Sequence, residues 1–162
     1  MAADQVRVRR AEERDMEAID RLLRQVLMIH HGGRPDLFKS DVKKYTDEQL
    51  LEILRDDRRP VFVAADSRDR VLGYAFCKFI QHENDNILTD IKTLYIDDLC
   101  VDEQARGQKT GTLLYEHVLK FARENKCYNV TLNVWACNEQ AFRFYEKCGL
   151  KLQKAGMEMI LQ

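Results

Sequence analysis

Residues 94–125, LYIDDLCVDEQARGQKTGTLLYEHVLKFAREN, constrain this chain more than any other stretch. An apolar-rich run at 94–101 has a strand's composition but carries two carboxylates, Asp97 and Asp98. A polar connection at 102–109 follows, with Arg106 and Gly107 near its end. Residues 110–125 then place Leu113, Leu114, Val118, Leu119 and Ala122 at helical spacing. Gly107 and Gly111 flank the predicted helix start. A strand that feeds a glycine-containing turn and opens a helix makes an anion site, because the first helical N–H groups lack intrahelical partners and the helix dipole is positive there. The stretch therefore predicts a phosphate-bearing ligand.

The remaining elements set the fold class. Residues 6–10 (VRVRR) alternate as a first strand does. Residues 12–28 read as a helix with Met16, Ile19, Leu22, Leu23, Val26 and Leu27 on one face. His30-His31-Gly32-Gly33-Arg34-Pro35 is expected to end it, since Gly and Pro continue a helix only at a cost. A second helix is predicted near 46–55, with Thr46 as N-cap and Leu50, Leu51 and Leu54 on its apolar face. Residues 60–66 and 71–80 read as a hairpin about the polar turn 67–70. Residues 129–134 (NVTLNV) are a strand, and 136–148 a short helix followed by Gly149 as its C-cap glycine. Two short strands, near 150–153 and 157–161, are expected to close the chain. The order β-α-α-β-β-β-α-β-α-β-β is that of a mixed sheet with helices on its faces, an α/β protein.

Composition narrows the function classes. At 162 residues the chain is expected to be one domain, 1–162, with a real core. A formal net charge of −1 provides no global field for nucleic acid or anionic membrane. No signal-like start is seen, and no apolar run approaches the roughly 20 residues of a membrane span. The five cysteines, Cys77, Cys100, Cys127, Cys137 and Cys148, are odd in number and form no CxxC pair. Neither a disulfide framework nor a metal site is expected, and a reducing, cytoplasmic setting is the natural reading.

Two phosphate motifs fail on spacing. A P-loop needs G-x-x-x-x-G-K-[ST], and here Lys109 precedes the second glycine. A dinucleotide fingerprint needs G-x-G-x-x-G after the first strand of a βαβ unit, which Gly107 and Gly111 do not match. A third pattern fits. Arg106-Gly107-Gln108-Lys109-Thr110-Gly111-Thr112-Leu113-Leu114 resembles the R-G-x-G-x-G-x-x-L-L loop of the GCN5-related N-acetyltransferases, which grips the coenzyme A pyrophosphate with backbone amides. Downstream, Asn138 to Leu150 (NEQAFRFYEKCGL) resembles the family's N-x-x-A-x-x-x-Y-x-x-x-G-[FL] segment. The resemblance covers nearly the whole chain in element order. It implies a mixed, mostly antiparallel sheet of six to seven strands flanked by four helices. One departure stands out: the family usually has glycine where this chain has Lys109. A lysine there either crowds the phosphates or adds a cation beside them.

The same resemblance implies attack of an amine on the thioester of acetyl-CoA. The amine must be neutral, although a lysine-like amine has a pKa of roughly 10.4. The thioester oxygen needs a hydrogen-bond donor, and the leaving thiolate an acid. Tyr145 stands at the motif position of the tyrosine that protonates the coenzyme A sulfur; the alternative is a core aromatic. Residues 94–101 are similar to the corresponding stretch of diamine (spermidine/spermine) acetyltransferases, where an acid at the Asp97 position serves the incoming amine. On a regular strand only one of Asp97 and Asp98 would face the site, a parity that a bulge would change. Asp97 is favoured, against the alternative of a strand carboxylate bonded to backbone or arginine. Leu99, Cys100 and Val101 are expected to pair by backbone with the pantetheine arm, with the Val101 N–H as donor to the thioester oxygen. Asn138 is expected on the same arm, or as N-cap of the last helix. Cys100 opens a nucleophilic route, but no histidine lies near it in sequence, so a structural cysteine is the better reading. His30 and His31 read as solvated loop residues. Residues 34–39 are expected near the acceptor, and Trp135 in packing or at a subunit contact.

These readings make the chain an acetyl-CoA-dependent N-acetyltransferase for a primary amine of a small molecule or protein, with no metal, acting in a ternary complex as a homodimer. The two aspartates tilt the acceptor toward a cationic amine. The rival from another class is a non-catalytic acyl-CoA-binding module, which Lys109 keeps in play; a nucleotide-binding protein is the third.

Overall fold

The computed structural model describes residues 5–107 and 109–162. Four helices and one five-stranded sheet are found among them, in the order β1 (Arg7–Arg10), α1 (Met16–Gly33), α2 (Asp47–Leu54), β2 (Val61–Ala65), β3 (Val71–Gln81), β4 (Lys92–Val101), α3 (Thr110–Glu124), β5 (Asn129–Leu132) and α4 (Glu139–Lys147). The strands lie in sequence order, antiparallel except for the parallel β4–β5 pair. The α/β class and the mixed, mostly antiparallel sheet are as expected; the strand count is lower. Residues 151–162 form neither of the two closing strands. They run exposed, with no turn or bend to reverse them into a hairpin.

Helix ends follow local chemistry. Thr46 caps α2 by accepting from the Gln49 N–H at 3.1 Å, and the Gln49 side chain accepts from the Thr46 N–H at 2.9 Å. α1 starts later than expected, after a 3-10 turn at Glu13–Asp15, because the Asp15 carboxylate takes the Glu12 N–H at 2.8 Å. It also ends later. The helix continues through both glycines, and a Cβ at Gly33 would lie 2.6 Å from the Cys137 sulfur, so glycine lets the helix end meet the loop after β5. Arg34, restricted by Pro35, leaves the helical region at φ −140° and ψ 72°.

Two cores sandwich the sheet. Ile19, Leu22 and Leu23 of α1 and Leu50, Ile53 and Leu54 of α2 pack with Val61, Val63, Tyr74, Phe76 and Cys100 on one face. Leu114, Tyr115, Val118 and Ala122 of α3 pack with Phe62, Ala75, Cys77, Leu94 and Ile96 on the other. β4 changes parity partway. Phe76 pairs with Asp98 and Cys77 with Ile96, so Asp97 is an extra residue, a β-bulge. Before it Leu94 and Ile96 face α3; after it Leu99 and Val101 do, while Cys100 faces α1.

Candidate active site

That bulge decides where the acids point. Without it Asp97 and Asp98 would lie on opposite faces. With it, both reach the α1–α2 face and the same cation: Lys44 Nζ is 3.8 Å from an Asp97 oxygen and 3.9 Å from an Asp98 oxygen. Asp98 is the more enclosed, with its side chain 12% exposed against 38% for Asp97. The buried Tyr74 hydroxyl donates to Asp98 at 2.7 Å. Burial pushes the Asp98 carboxyl above its ordinary pKa, against the opposing pull of Lys44 and of the Tyr74 hydrogen bond. Burial alone would lower the Lys44 ammonium, but Asp98, Tyr45 and Asp97 outweigh it and raise its pKa. The two carboxylates exceed the one ammonium by a negative charge.

Neighbouring groups close around this cluster. His30 belongs to the last turn of α1 rather than to a solvated loop; burial lowers its pKa. Its ring lies 5.0 Å from Phe38, which meets Trp135 edge-on at 5.2 Å. His31 Nδ1 is 2.7 Å from the Phe38 carbonyl oxygen. Tyr145, on α4, is half-buried, and burial raises its phenol well above the ordinary value, with Asp98, Cys148 and Cys100 adding to the effect. The phenol therefore keeps its proton at neutral pH and is a donor. Cys100 is buried against α1, its thiol directed at the Leu22 carbonyl at 3.9 Å and pushed up by burial to about 12. A thiol so held is no nucleophile at neutral pH, which leaves the structural reading.

Beside the cluster, β4 loses one neighbour. Its pairing with β5 ends at Ile96–Leu132, whereas pairing with β3 runs on to Val101–Gly73. Residues 97–101, including Leu99, Cys100 and Val101, thus have one edge without a strand beside it among the described residues. The loop that follows is tied to α1 by the buried Asp102, which accepts from Arg21 at 2.7 Å and from the Gln104 N–H at 3.1 Å. Gly107 has φ 87° and Lys109 φ 59°, so Lys109, the N-cap of α3, occupies the left-handed region where glycine is at ease. Gln108 lies outside the described residues.

The start of α3 fits a phosphate ligand. The N–H groups of Thr110, Gly111 and Thr112 open the helix without intrahelical partners. Thr110 is 1% exposed, and its hydroxyl oxygen is buried with no hydrogen-bond partner among the described residues. A Cβ at Gly111 would sit 3.3 Å from the Phe144 ring and 3.5 Å from Val101, so β4, α3 and α4 converge there. A groove between α3 and α4, lined by Thr112, Tyr115, Phe144 and Cys148, leads away from the same point. Asn138 is the N-cap of α4, accepting from the Ala141 N–H at 3.3 Å, which leaves its amide NH2 outside the cap.

Lys44, Tyr74 and the Arg21–Asp102 pair escaped sequence reading. Each joins the site through tertiary pairing far along the chain, and no local pattern marks such contacts.

Comparison with known proteins places the chain in a family. The Acetyltransferase (GNAT) family matches residues 26–150. The glucosamine 6-phosphate N-acetyltransferase of Candida albicans is 39% identical over 69 residues, which span 43% of this chain and 43% of that enzyme. The peptidyl-lysine N-acetyltransferase YjaB of Salmonella typhimurium is 25% identical over 147 residues, 91% of this chain and 84% of that one. In structure, a mutant of the BH1408 protein from Bacillus halodurans superposes with a TM-score of 0.92 at 29% identity, covering 96% of this chain and 99% of that one. The two enzymes are named for a sugar phosphate and for peptidyl lysine, and the finer likeness to diamine acetyltransferases has no counterpart in them. The extent of the family match makes the assignment plain: the chain belongs to the GNAT family of acetyltransferases.

Proposed function

We propose that this protein transfers the acetyl group of acetyl-CoA to a primary amine that arrives as a cation. The observation that carries the reading is the bulge at Asp97, which turns two carboxylates toward one ammonium at the point where β4 and β5 part. A pocket that holds the Lys44 ammonium has the charge to hold an acceptor ammonium. Acetyl-CoA supplies the activated acyl group. In our reading the α3 N-terminus, with Gly107, Gln108, Lys109, Thr110, Gly111 and Thr112, and Arg106 beside it, binds the pyrophosphate. The unpaired edge of β4 and the Asn138 amide receive the pantetheine arm, and the Val101 N–H donates to the thioester oxygen.

Proton handling follows from the environments of the acids. Asp97, the more exposed, draws in the cation. Asp98, whose affinity for a proton burial has raised, takes the proton that the amine must lose. This assignment differs from the sequence-based preference for Asp97 because enclosure, which the sequence does not display, distinguishes the pair. The amine nitrogen bonds to the acyl carbon, the carbon–sulfur bond breaks, Tyr145 protonates the departing sulfur, and the second proton that the nitrogen sheds as the amide forms returns the phenol to its neutral state. The products are an amide and a free thiol.

Thiol release from acetyl-CoA, followed with a panel of a polyamine, a lysine peptide and glucosamine 6-phosphate, tests this reading. Turnover with the cationic amines above the sugar phosphate is the expected result. Absence of turnover with every amine, while calorimetry shows acetyl-CoA binding, favours a second reading as an acyl-CoA-binding module. The left-handed Lys109 in the phosphate loop is the observation behind that alternative.

A further inference from the structure

The loop that leads into α2 holds one lysine over the paired acids. Its neighbours in sequence are each fixed elsewhere. Lys43 Nζ lies 3.2 Å from Asp20 of α1 and also pairs with Asp47 at the start of α2. Tyr45 packs on the α1–α2 core, its ring 5.9 Å from that of Phe76. Thr46 caps α2. Lys44, between them, is directed at β4 instead: its Nζ lies 5.3 Å from the centre of the Tyr45 ring and bridges Asp97 and Asp98. At 3.8 and 3.9 Å it stands beyond the roughly 3.2 Å of an N–H···O hydrogen bond, so it offsets charge without sealing either carboxylate.

The charges beside this cluster are matched among themselves. Lys43 answers Asp20 and Asp47, and Arg34 answers Asp36 and Glu158. Burial lowers the pKa of His30 and raises those of the Tyr45 and Tyr74 phenols, so all three are uncharged at neutral pH. Phe38 and Trp135, which continue the wall from His30, add no charge. Asp97, Asp98 and Lys44 are left with one net negative charge. Without Lys44 the same pocket would carry two.

We infer that Lys44 selects the acceptor by charge: with its ammonium in place the pocket takes primary amines that carry a single positive charge and discriminates against diamines and polyamines. The inference rests on the acetyltransferase reading and names the substrate class within it. The ammonium of a monoamine beside Asp97 and Asp98 completes neutrality. A diamine overshoots it, and its second ammonium has to settle near Lys44, where like charges in a partly enclosed site repel. An alkyl chain in the same place meets Phe38 and Trp135 instead. A lysine side chain and a simple alkylamine both satisfy this rule.

Thiol release from acetyl-CoA with pentylamine and with putrescine tests it on the full chain, since the two have equal length and differ by a terminal methyl or ammonium group. Per amino group, kcat/KM of the wild type is expected to favour pentylamine at least about tenfold. Lys44→Met, similar in length and without charge, should move that ratio toward putrescine at least about tenfold, chiefly through the KM for putrescine. Lys44→Arg should keep the wild-type order. A residue that only packs would change both rates together and leave the ratio alone. A wild type that favours putrescine or treats the two alike overturns the inference, as does a folded Lys44→Met with the wild-type ratio or a Lys44→Arg that shifts as Lys44→Met does. If Lys44→Met fails to fold, salt decides: the wild-type preference should narrow as ionic strength rises, and a preference that salt leaves unmoved overturns the inference. Absence of thiol release with either amine overturns the catalytic reading and this inference with it, whereas release without discrimination overturns the inference alone.

Discussion

Lys109 illustrates how one side chain sets two quantities against each other. Its φ of 59° costs a residue with a Cβ about 1 kcal/mol relative to glycine, yet it caps the helix whose N-terminus is proposed to bind the pyrophosphate. Lys109→Gly should raise stability in urea titrations by up to about 1 kcal/mol. It should also weaken acetyl-CoA about threefold in low salt, a difference that vanishes at high ionic strength. Tyr145 gives a cleaner separation. Because its phenol stays protonated, Tyr145→Phe should lower kcat about 100-fold while calorimetric acetyl-CoA affinity holds. Asp98 governs the acid side of the profile. Its raised pKa means that the base is lost as pH falls through a value above the ordinary aspartate range. The kcat/KM profile should show that limb in the wild type, and Asp98→Asn should abolish it along with about 100-fold of the rate.

At the level of elements, close approach of backbone is what holds the site open. A Cβ on Gly73 would lie 2.6 Å from the Cys100 carbonyl oxygen and 3.1 Å from Leu114, so Gly73→Ala must push β4 away from β3 at the stretch of β4 proposed to receive the pantetheine arm. A loss of about 1–3 kcal/mol in chemical denaturation is expected, with a raised KM for acetyl-CoA. The same scale shows what the sequence makes legible. The Thr46 N-cap, the hairpin of β2 and β3, and the strand–turn–helix of β4 and α3 are local patterns, and each forms as expected. Residues 150–153 and 157–161 also look like strand, but a strand exists only where another edge accepts its hydrogen bonds. The parity of Asp97 and Asp98 was legible only as a choice, because a bulge depends on how β3 and β4 register across the sheet. Lys44 and Tyr74 were invisible for the same reason.

Across the whole molecule, buried carboxylates tie distant elements together and set the acid limit of the fold. Asp15 takes both guanidinium nitrogens of Arg9 at 2.8 and 2.9 Å, and Asp66 accepts the Arg68 and Arg70 N–H groups at 2.9 Å. Asp102 joins α1 to the loop before α3. Burial alone would raise all three, yet arginine partners and backbone N–H groups hold each below its ordinary pKa. Their stabilisation is therefore complete above the unfolded value of roughly 3.9 and is lost as pH falls through the lower folded values. The share of stability held by these three carboxylates should be lost below about pH 4 in thermal melts, and Asp102→Asn should flatten part of that drop.

The bulge at Asp97 carries a consequence for how such chains diverge. Asp97 is the residue in excess, so loss of its codon would leave Cys77 opposite Ile96 and Phe76 opposite Asp98 with nothing between them, a regular ladder in which every other residue of β4 keeps its face. An alignment that opens a gap at that position therefore describes a protein with the same two cores and one carboxylate fewer beside Lys44.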